Sequence, residues 1–188
     1  MVAQPQSNDQ RAVHRGEQST PRRIVLTGFM GSGKSTTGPL LAARLGWNFI
    51  DLDDEIEDQA GCTIAELFAR RGEIPFREIE RDTIARLAER DALVLALGGG
   101  AIEHPETRAR LKSGPETLLI HLEVELETTL ARCKGTEDMR PILADRANLA
   151  DRYERRLPLY REAHVSIRVD ALTPEQVVDA ILRTARSG

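Results

Sequence analysis

Residues Ile24-Val25-Leu26-Thr27-Gly28-Phe29-Met30-Gly31-Ser32-Gly33-Lys34-Ser35-Thr36 decide how the chain is read. The stretch begins as a short apolar run with β-branched residues, the pattern of a buried strand. It then turns glycine-rich and opens into Lys34-Ser35-Thr36-Thr37, with Leu40, Leu41 and Leu45 following at helical spacing. Strand, glycine loop and helix is the context a phosphate-binding loop needs, and Gly28-x4-Gly33-Lys34-Ser35 fits its pattern. Residues without Cβ atoms, Gly31 and Gly33 with Ser32 between them, let backbone N–H groups converge on an anion. The helix beyond adds its unpaired N-terminal donors and the positive end of its dipole. In this pattern Lys34 reaches the β- and γ-phosphates, and the Ser35 hydroxyl ligates Mg²⁺.

The rest of the composition fits a soluble nucleotide-dependent protein. A chain of 188 residues, 40% hydrophobic, suits one domain with a full core. A formal net charge of −4 argues against wholesale nucleic-acid binding. Lysines occur at 34, 112 and 134, with arginine used elsewhere, so Lys34 supplies what arginine cannot, a compact charge on a flexible stem. Cys62 and Cys133 lack metal-ligand spacing and read as free thiols in a reducing compartment. No apolar run reaches membrane-spanning length. Residues 1–21 are polar, without the apolar stretch of a signal peptide, and read as a disordered tail. The expected location is cytoplasmic.

Beyond the first helix, Trp47 to Asp51 reads as a second strand running into the acidic stretch Asp51-Leu52-Asp53-Asp54-Glu55. Thr63-x-x-Glu66 is a capping box before a short helix holding Leu67 and Phe68. A longer helix is expected over 75–90, strands at 93–97, 118–122 and 165–169, and helices over 105–112, 125–132 and 149–162. Residues 133–148 mix glycine, proline and charge, as a flap does. Thr173-Pro174-Glu175-Gln176 starts the last helix with proline at its first position. Strands alternating with helices imply an α/β fold with parallel βαβ units. Ligands in such sheets bind beyond the carboxyl ends of the strands, so Gly28 to Lys34, Asp51 to Asp54 and Gly98 to Gly100 should meet at one edge.

Four further features bear on the acceptor. In Asp51-x-Asp53 one carboxylate can hold Mg²⁺ through water and the other can accept a proton from a hydroxyl; an acidic first helical turn is the plainer reading. Arg77-x-x-Glu80, after Phe76, is either a helix ion pair or an arginine fork oriented to grip a carboxylate. Gly98-Gly99-Gly100 after a strand suits close approach of a ligand to backbone, or simply a tight turn. Arg140, in the flap, could close over a transferring phosphate, and Arg156 precedes Pro158-Leu159-Tyr160; taken alone in so arginine-rich a chain, each reads as solvated rather than functional.

Taken in order, the phosphate loop, Asp51-x-Asp53, Arg77-x-x-Glu80 and Gly98-Gly99-Gly100 resemble shikimate kinase, a small P-loop enzyme of the nucleoside monophosphate kinase type. Ile84, Val94-Leu95-Ala96 and Ile102 supply the aliphatic positions of that pattern, and the match covers 22–184. The resemblance implies a three-layer sandwich around a five-stranded parallel sheet. It also implies one domain over 22–188, with a substrate region at about 53–80 and a lid at about 133–148. The reaction implied is transfer of the ATP γ-phosphoryl group to the 3-hydroxyl of shikimate, on the chorismate route to aromatic amino acids.

By the same resemblance Asp53 binds the shikimate hydroxyls and acts as base, while Arg77 and Arg156 hold its carboxylate. Glu80 orients Arg77, Gly99 donates a backbone hydrogen bond between Gly98 and Gly100, and Phe68 and Phe76 wall the ring. Gly31, Ser32, Gly33, Lys34, Ser35 and Thr36 cradle ATP, Arg132 stacks on adenine, and Arg140 is the lid arginine. Ser35 ligates Mg²⁺, and Asp51 does so through water. Partners are therefore ATP and shikimate, with no nucleic acid, no membrane and a monomeric state.

Residues 170–173 carry no basic side chain against adenine, a departure from some family members, so backbone groups should serve there. A gluconate or nucleoside monophosphate kinase would share the loop and lid but leave the triple glycine and Arg77-x-x-Glu80 unexplained. A shikimate sensor without turnover is the rival outside enzymes. It would call for a helix-turn-helix segment, which the polar head cannot hold, and for loss of Asp53 or Lys34, both of which are present.

Overall fold

A computed structural model describes residues 20–114, 116–134 and 146–187. Five strands form one all-parallel sheet in the order β2-β3-β1-β4-β5: β1 Arg23–Thr27, β2 Asn48–Asp51, β3 Leu93–Ala96, β4 Thr117–Glu123 and β5 Val165–Arg168. β1 lies at the centre and is buried along its whole length, which is why Ile24-Val25-Leu26 is apolar without alternation between Arg23 and Thr27. Leu97 N–H still bonds Leu26 O at 2.9 Å beyond the end of β3, carrying the ladder to the edge of the glycine run.

The described helices are α1 Lys34–Leu45, α2 Leu52–Ala60, α3 Ile64–Arg71, α4 Glu73–Leu87, α5 Pro105–Ser113, α6 Leu126–Arg132, α7 Arg146–Tyr160 and α8 Pro174–Ser187. Crossover handedness assigns them to layers. From β1 to β2 the chain moves one way across the sheet, then reverses from β2 to β3 and continues in that direction to β5. With every crossover right-handed, α1 lies on one face and α4, α5 and α7 on the other. In accord with this, α1 packs against α8, and α5 against α4.

Local chemistry accounts for the helix ends. Thr63 and Glu66 form the expected capping box on α3, and Thr173 and Gln176 exchange the same pair of bonds at the start of α8. α4 begins at Glu73, two residues ahead of Pro75, because proline in a first turn removes only an N–H without a helical partner. α2 is the helix that periodicity does not announce, since it buries only Leu52 and Ile56. Asp51 caps it, accepting from Asp53 N–H at 3.2 Å. No helix among the described residues is long and apolar enough to cross a membrane.

Candidate active site

The phosphate loop, Asp51 and Asp53, and Gly98 to Gly100 do meet at the carboxyl edge of the sheet, around a cleft of about 560 Å³. At one end the loop leads into α1, whose N-cap, Gly33, sits at φ +93° and offers no side-chain cap. The first N–H groups of α1 are thus left for an anion. Gly28 cannot carry a side chain, as its Cβ would lie 2.5 Å from Leu122 O. Lys34 Nζ donates to Gly28 O at 2.8 Å and Phe29 O at 3.2 Å, holding its charge over the loop. Ser32 sits beside it, its Oγ 3.5 Å from that ammonium.

Ser35 Oγ donates to Asp51 Oδ2 at 2.7 Å. Two hard oxygen donors at the loop's end fit Mg²⁺, which takes one or two protein oxygens and completes its shell with phosphate and water. Among the described residues no cluster of three or more His, Cys, Asp or Glu could cage an ion without such a ligand. Asp51 therefore serves both as the α2 cap and as the partner of Ser35, so the two readings of Asp51-x-Asp53 are compatible.

Asp53 points into the middle of the cleft. Burial, with the Asp51 charge next, pushes its carboxyl up to about 6, while Lys34 pulls the other way. Opposite stand two arginines, each with its own acid. Arg77 donates to Glu80 Oε2 at 2.8 Å and to Glu73 Oε1 at 3.3 Å, and its guanidinium lies 5.3 Å from the Phe76 ring centre. Burial raises the Glu80 carboxyl above its ordinary range against the pull of Arg77. Arg156, 6% exposed, donates to Glu103 Oε2 at 3.1 Å. Phe68 and Phe76 pack at a tilt of 34° with ring centres 4.5 Å apart and line the same wall.

The glycine triplet makes room for these side chains. A Cβ on Gly98 would lie 2.6 Å from Asp53 Oδ1, on Gly99 3.4 Å from an Arg156 amino nitrogen, and on Gly100 2.7 Å from the Arg77 guanidinium. Gly98 and Gly100 thus clear space for Asp53 and Arg77, while a Cβ at Gly99 would only touch Arg156. Tyr160 Oη donates to Gly99 O at 2.6 Å and fixes the triplet against α7.

Arg132 donates to Gly31 O at 3.1 Å and to Val169 O at 2.9 Å, bridging the phosphate loop and the turn after β5. It borders a smaller hollow of about 210 Å³ with Ser32, Thr36, Val169, Leu172 and Pro174. The expected site residues that the structure describes are thus brought together, Ser32 on the hollow and the others on the cleft. Arg140 lies outside the described residues, as does 135–145 of the expected lid. Sequence reasoning missed Glu103, Arg152 and Tyr160. Arg152 and Tyr160 stand one turn before and after Arg156, a spacing that could have found them.

This fold and cleft define a P-loop phosphotransferase acting on a small acidic acceptor. The shikimate kinase family model matches residues 30–186, and the chain belongs to the shikimate kinase family. The shikimate kinase of Persephonella marina is 40% identical over 166 residues, spanning 88% of this chain and 99% of that protein. That of Salinibacter ruber is 43% identical over 168 residues, spanning 84% and 81% respectively. Among solved structures, shikimate kinase from Acinetobacter baumannii in complex with shikimate superposes with a TM-score of 0.82 at 37% identity, covering 89% of this chain and 94% of that one.

Proposed function

We propose that the protein transfers the γ-phosphoryl group of ATP to the 3-hydroxyl of shikimate, a step of aromatic amino-acid biosynthesis. The observation that carries this reading is the sharing of one cleft by the phosphate loop, a buried carboxylate and two acid-partnered arginines. Shikimate is a small polyol with one carboxylate, so its site needs a fixed positive fork at one end and a hydroxyl acceptor at the other. Arg77, held by Glu80, and Arg156, held by Glu103, supply the fork. Asp53 accepts the hydroxyl proton as the oxygen attacks, and its elevated pKa suits a base working near neutrality. Gly99 N–H supports the acceptor, and Phe68 and Phe76 flank its ring.

Phosphoryl transfer requires chiefly positioning and charge neutralisation. The α1 N-terminus and Lys34 hold the phosphates, with Gly31, Ser32, Gly33 and Thr36 shaping the cradle. Bound Mg²⁺, ligated by Ser35 and reached by Asp51 through water, would neutralise phosphate charge. The apolar hollow beside Arg132 suits the adenine ring, with backbone around Val169 and Asp170 in place of a basic side chain. Arg140 is assigned to the phosphates by resemblance alone, as is a lid over 133–148, and a cytoplasmic monomer remains part of the reading.

The test is ADP release with MgATP and shikimate, run beside gluconate, nucleoside monophosphates and no acceptor. Release that depends on shikimate is the expected result. Its absence in protein that binds ATP would overturn the reading.

A further inference from the structure

α7 runs along the cleft from the phosphate loop to the acceptor end. At the first of these levels the Tyr153 ring meets Phe29 of the loop edge-on, centroids 5.2 Å apart, and Tyr153 Oη donates to Val124 O at 2.9 Å. At the second, Arg156 pairs with Glu103 and Tyr160 holds Gly99. Arg152 adjoins Tyr153 at the first of these levels, one turn before Arg156, and lines the same cleft.

The other cleft arginines described each have an acid or carbonyl partner: Arg77 has Glu73 and Glu80, Arg132 has backbone carbonyls, and Arg156 has Glu103 on a terminal nitrogen, although its Nε is buried without a partner. Arg152 enters no ion pair among the described residues, and its Nε is buried without a hydrogen-bond partner. A buried cationic donor without an acceptor is costly, and a bound anion removes that cost. The shikimate carboxylate already has two arginines. Among the described residues Lys34 is held by the loop on the nucleotide side, so Arg152 is the described cation placed to meet the phosphoryl group once it has crossed to the acceptor.

We propose that Arg152 binds the phosphate ester of the product, so that the cleft distinguishes phosphorylated from unphosphorylated acceptor. Its planar fork meets two ester oxygens on the acceptor side, while Lys34 and the loop retain the ADP phosphates. This rests on the function proposed above, and the experiment separates the two. Titration calorimetry measures shikimate, shikimate 3-phosphate and MgATP one at a time, so that nothing turns over, against the full-length protein and its Arg152→Gln and Arg152→Lys variants.

Arg152→Gln should weaken shikimate 3-phosphate about tenfold while shikimate and MgATP change less than about twofold. Arg152→Lys, which keeps the charge without the fork and the helix with it, should fall between. Equal loss of shikimate and its phosphate, no loss in either variant, or a loss confined to MgATP would overturn the assignment. A wild-type protein that neither binds nor phosphorylates shikimate would instead remove the reading beneath it.

Discussion

Gly98 shows how one missing methyl group can govern chemistry several bonds away. A Cβ there would overlap Asp53 Oδ1, so Gly98→Ala must push the carboxylate out of line. Displacement of a reacting group by about 1 Å costs on the order of 10²-fold, and kcat/KM should fall by about that much, with MgATP affinity held within about twofold. Steady-state kinetics on the variant check this, and wild-type turnover would contradict it. Asp53→Asn removes the proton acceptor itself and should lower kcat by about 10²- to 10⁴-fold with ATP binding retained. The two changes act on one group, so Gly98→Ala should cost little more in an Asp53→Asn background.

At the scale of elements, α1 carries a glycine whose value runs against helix propensity. Gly38→Ala in an open helix stabilises by about 1 kcal/mol. Here the new Cβ would overlap Phe49 Cε2 and lie 2.7 Å from Cδ2 and 3.0 Å from Cζ. The overlap reverses the sign, and a loss of about 1–3 kcal/mol is expected from urea unfolding.

The same contrast marks what was legible in the sequence. The phosphate loop was, because its backbone geometry demands particular residue types within a few positions. The capping boxes at Thr63 and Thr173 were legible for the same reason. α2 was not, since two buried residues in nine leave no period to read. Gly98 to Gly100 stand out in the sequence as a place where a ligand would come close to backbone. What approaches, in part, is Asp53, Arg156 and Arg77, all distant in the chain, which no local pattern could reveal. Arg152 escaped notice because a functional arginine in an arginine-rich chain looks like a solvated one until its neighbours are known.

Across the whole molecule, acid should act through a residue that the proposed chemistry does not use. His121, on β4, is 2% exposed, stacks on Tyr160 with ring centres 5.2 Å apart, and pairs through Nδ1 with Ser166 Oγ at 3.1 Å. Burial drives its pKa down from 6.5 to about 4. Between those values the unfolded chain holds a proton that the native chain refuses, so stability falls as pH drops through this window. The loss approaches about 3 kcal/mol near pH 4. Asp53, raised by its surroundings, works in the opposite sense, losing stability as pH rises from 3.8 to about 6. Denaturant unfolding of wild type and His121→Gln across pH 4 to 7 isolates the histidine, whose variant should lose the smaller amount on acidification.

The placement of β1 between β3 and β4 also bears on how the protein is made. β1 has no hairpin partner: Arg23 pairs with Leu93 on one side and with Thr117, 94 residues on, upon the other. At about 5–20 residues per second a ribosome takes roughly 5–20 s to reach that second partner. Through the later part of that interval the central strand is outside the exit tunnel with an open edge. The Gly28 turn, which packs on Leu122 O, cannot yet be set. Nascent chains halted before residue 123 should therefore ignore ATP and recruit chaperones, nucleotide capture arriving only after β4 has been synthesised.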